Sequence, residues 1–254
     1  MFKKYVLATF VLSALSACGG GGGDGGSNLN ATALTIFNDG AGVARVVRSD
    51  GTEFVYIAPN IVADVAATNA SGSVSPVDIT QYPIVSQSNG YNLRTGVITA
   101  NGASANVVVA EKIGAGKASI AYIYDNTGDA IAAGGGAMSN APTGSHTYSG
   151  MFVSGGRYTN FAEIGSLSLT ANFGTNTFTI NGSSTNSSLT GTGFIDPANG
   201  RISSANLTFA APNGSNYGAS TMGNLTGNGA TDVSGVFYTN DTNPDYAGAY
   251  AGSR

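Results

Sequence analysis

The sequence has no tryptophan, one cysteine and one histidine in 254 residues, and only 9% of it is charged. Each scarcity excludes something. A single thiol, Cys18, can form neither an intrachain disulfide nor a multi-cysteine metal site, so the fold must be held by its core. A lone histidine, His146, cannot supply the several imidazoles of a catalytic zinc centre, and no histidine-rich region exists to activate Cys18 as a nucleophile. With 10 basic against 14 acidic residues there is no basic face for nucleic acid. Ordinary globular domains carry about 25% charge. Here Gly, Ser, Thr, Asn and Ala fill the space instead, which gives a polar but nearly uncharged surface.

The amino-terminal stretch is ordered like an export signal. Lys3 and Lys4 come first, Tyr5 to Leu15 is almost wholly apolar, and Ser16 and Ala17 close the run. The run is too short for a permanent membrane helix, which needs about 20 residues. Leu15-Ser16-Ala17-Cys18 resembles a bacterial lipobox. That resemblance implies cleavage after residue 17 and acylation of Cys18, with outer-membrane lipid as a partner. Gly19 in place of Asp after the cysteine implies export to the outer membrane. The glycine-rich tract that follows, with residues 18–30 as a unit, buries no apolar area and reads as a tether. Removing residues 1–17 takes away two basic residues and no acid, moving the net charge from −4 to −6.

Beyond the tether the apolar residues alternate with period two, and no window carries a helical stripe. Gly165 to Gly174 puts Leu167, Leu169, Ala171 and Phe173 on one face and Ser166, Ser168, Thr170 and Asn172 on the other. Turn signals such as Asn181-Gly182, Pro212-Asn213-Gly214 and Asn228-Gly229 punctuate the runs. The spacing predicts eight strands, near 146–153, 165–173, 177–182, 189–195, 201–210, 217–226, 232–238 and 246–251. Eight strands can close an up-and-down antiparallel barrel whose interior is just filled by side chains. Closure also removes the sheet edges that so neutral a sheet would leave exposed.

Residues 31–141 also read as β. Asp50-Gly51 predicts a hairpin between Val43–Arg48 and Glu53–Ile57. Further strands are expected over 96–100, 105–111 and 117–124. Residues 60–89, with Pro76 and Pro83, show little periodicity, and 132–145 reads as a Gly/Pro/Ser linker. The expected organisation is all-β: a small handle over 31–141, then an eight-stranded barrel over 142–254.

Three motifs in the second half resemble the transferrin-binding protein B-like surface lipoproteins. They are Ser145 to Gly155 as a first barrel strand, Gly165 to Ser183 as the second and third strands, and Gly235 to Gly252 as the closing hairpin. The last retains Gly235, Phe237, Tyr238, Gly248 and Tyr250 of the family pattern. It departs at Thr239, where Gly is usual, at Asp245 near the usual Glu, and at Ala247. The resemblance covers about 110 residues. It implies a handle and barrel, an outer-membrane position facing the cell exterior, and a host protein or haem as partner. No ligand-contacting residue transfers, because the family's binding loops vary.

Individual residues support little chemistry. His146 is the weak candidate for a cofactor, as a haem-iron ligand, against a surface residue at a strand start. Asp125 to Asp129 offers oxygens on a tight turn, as Ca²⁺ prefers, but lacks the later bidentate acid and reads better as a hairpin turn. Glu53, Glu111 and Glu163 lie in no motif for glycoside hydrolysis. Tyr148, Phe152, Tyr158, Phe161, Phe237, Tyr238, Tyr246 and Tyr250 gather in the first and last barrel segments, as core or as an aromatic rim. No catalytic residue, metal site or bound cofactor is expected. The expected function is non-catalytic ligand binding at the outer membrane. The alternative is a structural or adhesin-like, self-associating envelope protein.

Overall fold

The computed structural model describes residues 33–36, 40–48, 53–61, 64–68, 74–78, 82–100, 103–114, 118–124, 129–134, 137–156, 162–240 and 246–254. Among them are eighteen β-strands and no helix. The last eight form a closed barrel. They are β11 (Ser145–Gly156), β12 (Ala162–Asn172), β13 (Thr177–Ser183), β14 (Ser188–Ile195), β15 (Arg201–Ala210), β16 (Asn216–Thr226), β17 (Asp232–Thr239) and β18 (Tyr246–Ser253). Each pairs antiparallel with the next, and β18 returns to β11 with Tyr250 opposite Phe152.

The period of two sends alternate residues inward. In β13, Phe178, Ile180 and Gly182 are buried while Thr179, Asn181 and Ser183 are exposed. The interior is filled by Tyr148, Phe152, Leu167, Leu169, Phe178, Ile180, Phe209, Phe237, Tyr250 and their neighbours. Burying each large apolar side chain is worth roughly 1.5–3 kcal/mol, which lets a chain without disulfides hold its shape.

Before the barrel come β1 (Ala33–Ile36), β2 (Gly40–Arg48), β3 (Glu53–Ile61), β4 (Asp64–Thr68), β5 (Val74–Asp78), β6 (Ile84–Ser88), β7 (Tyr91–Ala100), β8 (Ala103–Lys112), β9 (Ser119–Tyr124) and β10 (Asp129–Ala133). Seven make one sheet in the order β3-β2-β10-β9-β8-β7-β6, and β1-β4-β5 make a small second one. The strands expected to flank Asp50-Gly51 do pair, with Val47 of β2 opposite Glu53 of β3.

The seven-stranded sheet lies against the outside of the barrel. Tyr91, Leu93, Ile120 and Tyr122 pack with Met151, Val153, Val236, Ala247, Ala249 and Ala251. Strands β17 and β18 are therefore buried on both faces, which explains their odd composition. In β18, Tyr246, Tyr250 and the glycines face the lumen, while Ala247, Ala249 and Ala251 lie under the sheet.

Two stretches differ from the sequence reading. Residues 60–89 carry β4, β5 and β6 despite weak periodicity. Pro76 is accommodated because β5 is an edge strand that pairs only with β4. The hairpin from β6 to β7 turns on Asn89-Gly90, whose φ values of 50° and 80° suit the two-residue turn that this dipeptide favours. The stretch read as a linker is packed only in its first part, and from Asn140 to Ser145 it is largely exposed. Ala132 and Ala133 end β10, Ala137 and Ser139 bridge to Thr226 and Asn228, and Met138 sits against the barrel core. Its small residues make backbone contacts, which leave no apolar period to read.

Candidate functional site

The barrel's two ends differ in chemistry. At one end the hairpins after β12, β14 and β16 meet the start of β11 and the end of β18. His146 sits here. Its Nε2–H donates to the Thr143 carbonyl at 2.9 Å, and its Nδ1 accepts from Arg254. Its ring meets Phe173 edge-on at 6.0 Å. Both nitrogens are engaged, so an iron would have to displace one of these bonds.

The corner of the sheet also reaches this end. Lys112 bonds Ser253 and lies 5.3 Å from the centre of the Tyr91 ring. Asp232 is buried; one carboxylate oxygen accepts from Thr231 at 3.0 Å and the other has no partner. Burial raises its pKa, against the Thr231 hydrogen bond and the charge of Lys112. Burial, helped by Asp232, also raises the Tyr91 hydroxyl. The Tyr148 hydroxyl, which donates to Ala230 at 2.7 Å, is pushed up to about 12 by burial, with Arg254 opposing and Asp232 assisting.

The other end is the mouth. Strand alternation sends Ser154, one pleat beyond Phe152, and Glu163, one pleat beyond Gly165, to its inner wall, and these two residues are opposite each other across β11 and β12. Ser184 and Ser187, in the turn from β13 to β14, close on them. Ser184 and Ser187 donate to Glu163 Oε2 at 2.5 and 2.7 Å, and Asn186 donates to Oε1 at 2.8 Å. Ser187 also bonds Ser154 at 2.9 Å. That bond joins β11 to the start of β14 over two intervening strands. Burial raises the Glu163 pKa, but the hydrogen bonds from Ser184, Ser187 and Asn186 outweigh it and hold the carboxyl below its ordinary value.

The lumen next to this cluster is aromatic. Phe152 stacks on Phe237, with centroids 5.5 Å apart and planes 10° from parallel. From Phe237 the contacts run to Phe209 at 5.3 Å, on to Tyr246 at 5.3 Å, and then to Tyr217 at 5.4 Å. The first three rings are buried, while Tyr246 and Tyr217 are half-buried at the rim. An ionised carboxylate held by neutral donors thus shares the mouth with a continuous ladder of five rings.

The whole arrangement, a closed eight-stranded barrel with a sheet docked on its flank, has solved counterparts. Isotype 1 transferrin binding protein B from serogroup B Neisseria meningitidis superposes with a TM-score of 0.55 at 11% identity, over 84% of this chain and 43% of that one. The apo haemoglobin receptor HpuA from Kingella denitrificans gives 0.54 at 12% identity, over 88% and 86%. The fold is transferrin-binding protein B-like. This chain spans less than half of the Neisseria protein it matches. No protein-family model and no curated protein matches the sequence, so the likeness lies in the fold alone.

Within this transferrin-binding protein B-like fold the expected aromatics divide three ways. Tyr148, Phe152, Phe237 and Tyr250 are lumen core; Tyr246 is rim; Tyr238 packs beside the sheet. Tyr158 and Phe161 lie outside the described residues, as do Cys18, residues 125–128 and the side chain of Glu53. Glu111 is paired with Arg94 at 3.0 Å. Among the described residues no group of three metal-binding side chains occurs. Ser154, Ser184, Ser187, Phe209 and Tyr217 were not singled out by sequence. The available signal was their place in the alternation, since each continues the inward-facing series of its strand.

Proposed function

We propose that this chain is a non-catalytic binding protein anchored by lipid to the bacterial outer membrane and facing the exterior. In this reading residues 1–17 are a signal, Cys18 is acylated, and 18–30 are the tether. The handle spans 31–141 and the barrel 142–254. The partner is a host protein, with haem as the small-molecule variant of the same reading. The observation that carries it is the sheet-flanked closed barrel, shared with a transferrin binding protein and a haemoglobin receptor. The engagement of Glu111 by Arg94 and of Glu163 by three neutral donors supports a non-catalytic role.

Protease shaving of intact cells, with an inner-leaflet lipoprotein as control, tests the location. Digestion of this protein alone is the expected result. Capture from host serum and haemolysate by the full chain then tests the partner. Protection from protease overturns the surface reading. The Cys18→Ala variant is expected to leave the membrane fraction.

One observation favours the self-associating alternative. Strand β6 is a sheet edge with every residue exposed, including Ile84 and Val85, and it carries no charge. Unguarded edges of this kind pair with other strands. Sedimentation of the chain at rising concentration decides it, and a strict monomer ends that alternative.

A further inference from the structure

Asn-Gly pairs stand at 89–90, 101–102, 181–182, 199–200, 213–214 and 228–229. Such pairs are chemically labile, because glycine leaves its backbone nitrogen unshielded beside the asparagine side chain. After losing its proton to solvent base, that nitrogen attacks the side-chain carbonyl carbon. The new N–Cγ bond closes a five-membered imide, the Cγ–Nδ2 bond breaks, and the amide leaves as ammonia once it has regained a proton. Water then opens the imide to aspartate or isoaspartate. Asparagine and water become acid and ammonia, with no change of oxidation state. The attacking nitrogen must be free of a hydrogen bond, and on this point the pairs divide.

Gly200 donates to the Asp196 carbonyl at 2.8 Å, Gly214 to Ala211 at 2.9 Å and Gly229 to Ser139 at 2.6 Å. Gly182 lies within β13, which is paired on both sides. Asn101-Gly102 lies outside the described residues. Asn89-Gly90 forms the two-residue loop between the paired Ser88 and Tyr91. The Gly90 carbonyl accepts from Ile113, but among the described residues its N–H has no acceptor. Both loop residues are exposed, so water reaches them. The Asn89 side chain also ties the sheet to the barrel. Its Nδ2 donates to the Gly150 carbonyl of β11 at 3.2 Å and lies 3.8 Å from Met151 Sδ. At 3.2 Å this bond is at the long end of the usual range and restrains the side chain only weakly. A carboxylate in its place has no proton to give and sets its charge against a carbonyl. An isoaspartate also lengthens the loop by one main-chain carbon, and loop length fixes the register of a hairpin.

We propose that Asn89 is a self-modifying site. It deamidates in the folded protein ahead of Asn181, Asn199, Asn213 and Asn228, and the product releases the β6–β7 turn from the barrel. This inference stands apart from the binding-lobe reading, and the loss of either leaves the other.

The test ages the full chain at mildly alkaline pH, with and without denaturant, and maps it by proteolysis and fragment mass spectrometry. In the folded chain the mass gain of replacing NH₂ by OH is expected first at Asn89. In denaturant the four others are expected to catch up, because their glycine amides are freed. Asn89→Gln keeps an amide but needs a six-membered imide, and is expected to lose the gain at this position. Earlier modification of any of the four in the folded chain overturns the site. So does the same spread of rates with and without denaturant, since hydrogen bonding of the glycine amides would then not set the order. Hydrogen exchange in Asn89→Asp tests the consequence. Exchange at residues 88–92 and 150–151 is expected to rise above wild type while exchange in β14 stays unchanged. Equal exchange at both places overturns the release of the turn.

Discussion

The ring of Tyr122, in the flanking sheet, occupies the space that a β-carbon on Gly155, in the barrel wall, would need. The two residues come from strands β9 and β11, on either side of the sheet–barrel junction. Tyr122 is fully buried there, beside Met151, Val153 and the alanines of β18. Gly155→Ala should therefore push the sheet off the barrel. A loss of about 1–3 kcal/mol is expected, as for other overpacked cores. Chemical denaturation measures it, and an unchanged midpoint would show that the sheet shifts without cost.

The stacked pair of Phe152 and Phe237 is the centre of the barrel core. The Phe237 ring also fills the space above Gly248, where no β-carbon fits. Phe237→Ala should cost about 3–5 kcal/mol, because the rings around it are already close-packed and cannot collapse into the void. By contrast Phe194 is 68% exposed on the outer wall. Phe194→Ser should change stability by no more than about 0.5 kcal/mol. Parallel unfolding curves of the two variants check both values.

Asp232 and Glu163 should give opposite pH dependences. Burial raises the folded-state pKa of Asp232 above its unfolded value, with Thr231 and Lys112 opposing. Folding then favours the protonated form. Its contribution is fully present below the unfolded value, about 4, and is lost as pH rises through the raised folded value. The Asp232→Asn variant should lack this decline. Stability measured from acid to neutral pH, in both proteins, tests it. Lys112, Tyr91, Tyr148, His146 and Arg254 are the other ionisable groups at this end.

For Glu163 the net shift is downward, since hydrogen bonds to Ser184, Ser187 and Asn186 prevail over burial. Its stabilisation is present above the unfolded value and is lost as pH falls through the lower folded one. At neutral pH, E163Q should cost about 1–2 kcal/mol, because an amide accepts these donors less strongly than a carboxylate. Hydrogen exchange at residues 184–187 should rise in E163Q while exchange in β17 stays unchanged. Equal exchange at 184–187 in both proteins would count against the clamp.

Much of the barrel was legible in the sequence. Strands β12 to β16 have one wet and one dry face over much of their length, and a half-buried strand must alternate. The eight runs from 146 to 251 accordingly correspond to β11 through β18. Legibility falls where burial is two-sided or where backbone pairing replaces side-chain packing. The alanines of β18 and the stretch around Ala132 carry no clean period for that reason.

By itself the sequence determined the class of the fold, because strand alternation and turn residues are local. It also determined the absence of disulfide chemistry, because one cysteine cannot pair within a chain. Tertiary structure decided which strands meet. Strand β10 lies between β2 and β9, a pairing that no local pattern encodes. It decided too that Ser154 meets Ser187 and that Phe209, Tyr246 and Tyr217 form one ladder. Those meetings depend on closure of the barrel, which brings distant residues to one rim, and closure follows from the summed register of all eight strands.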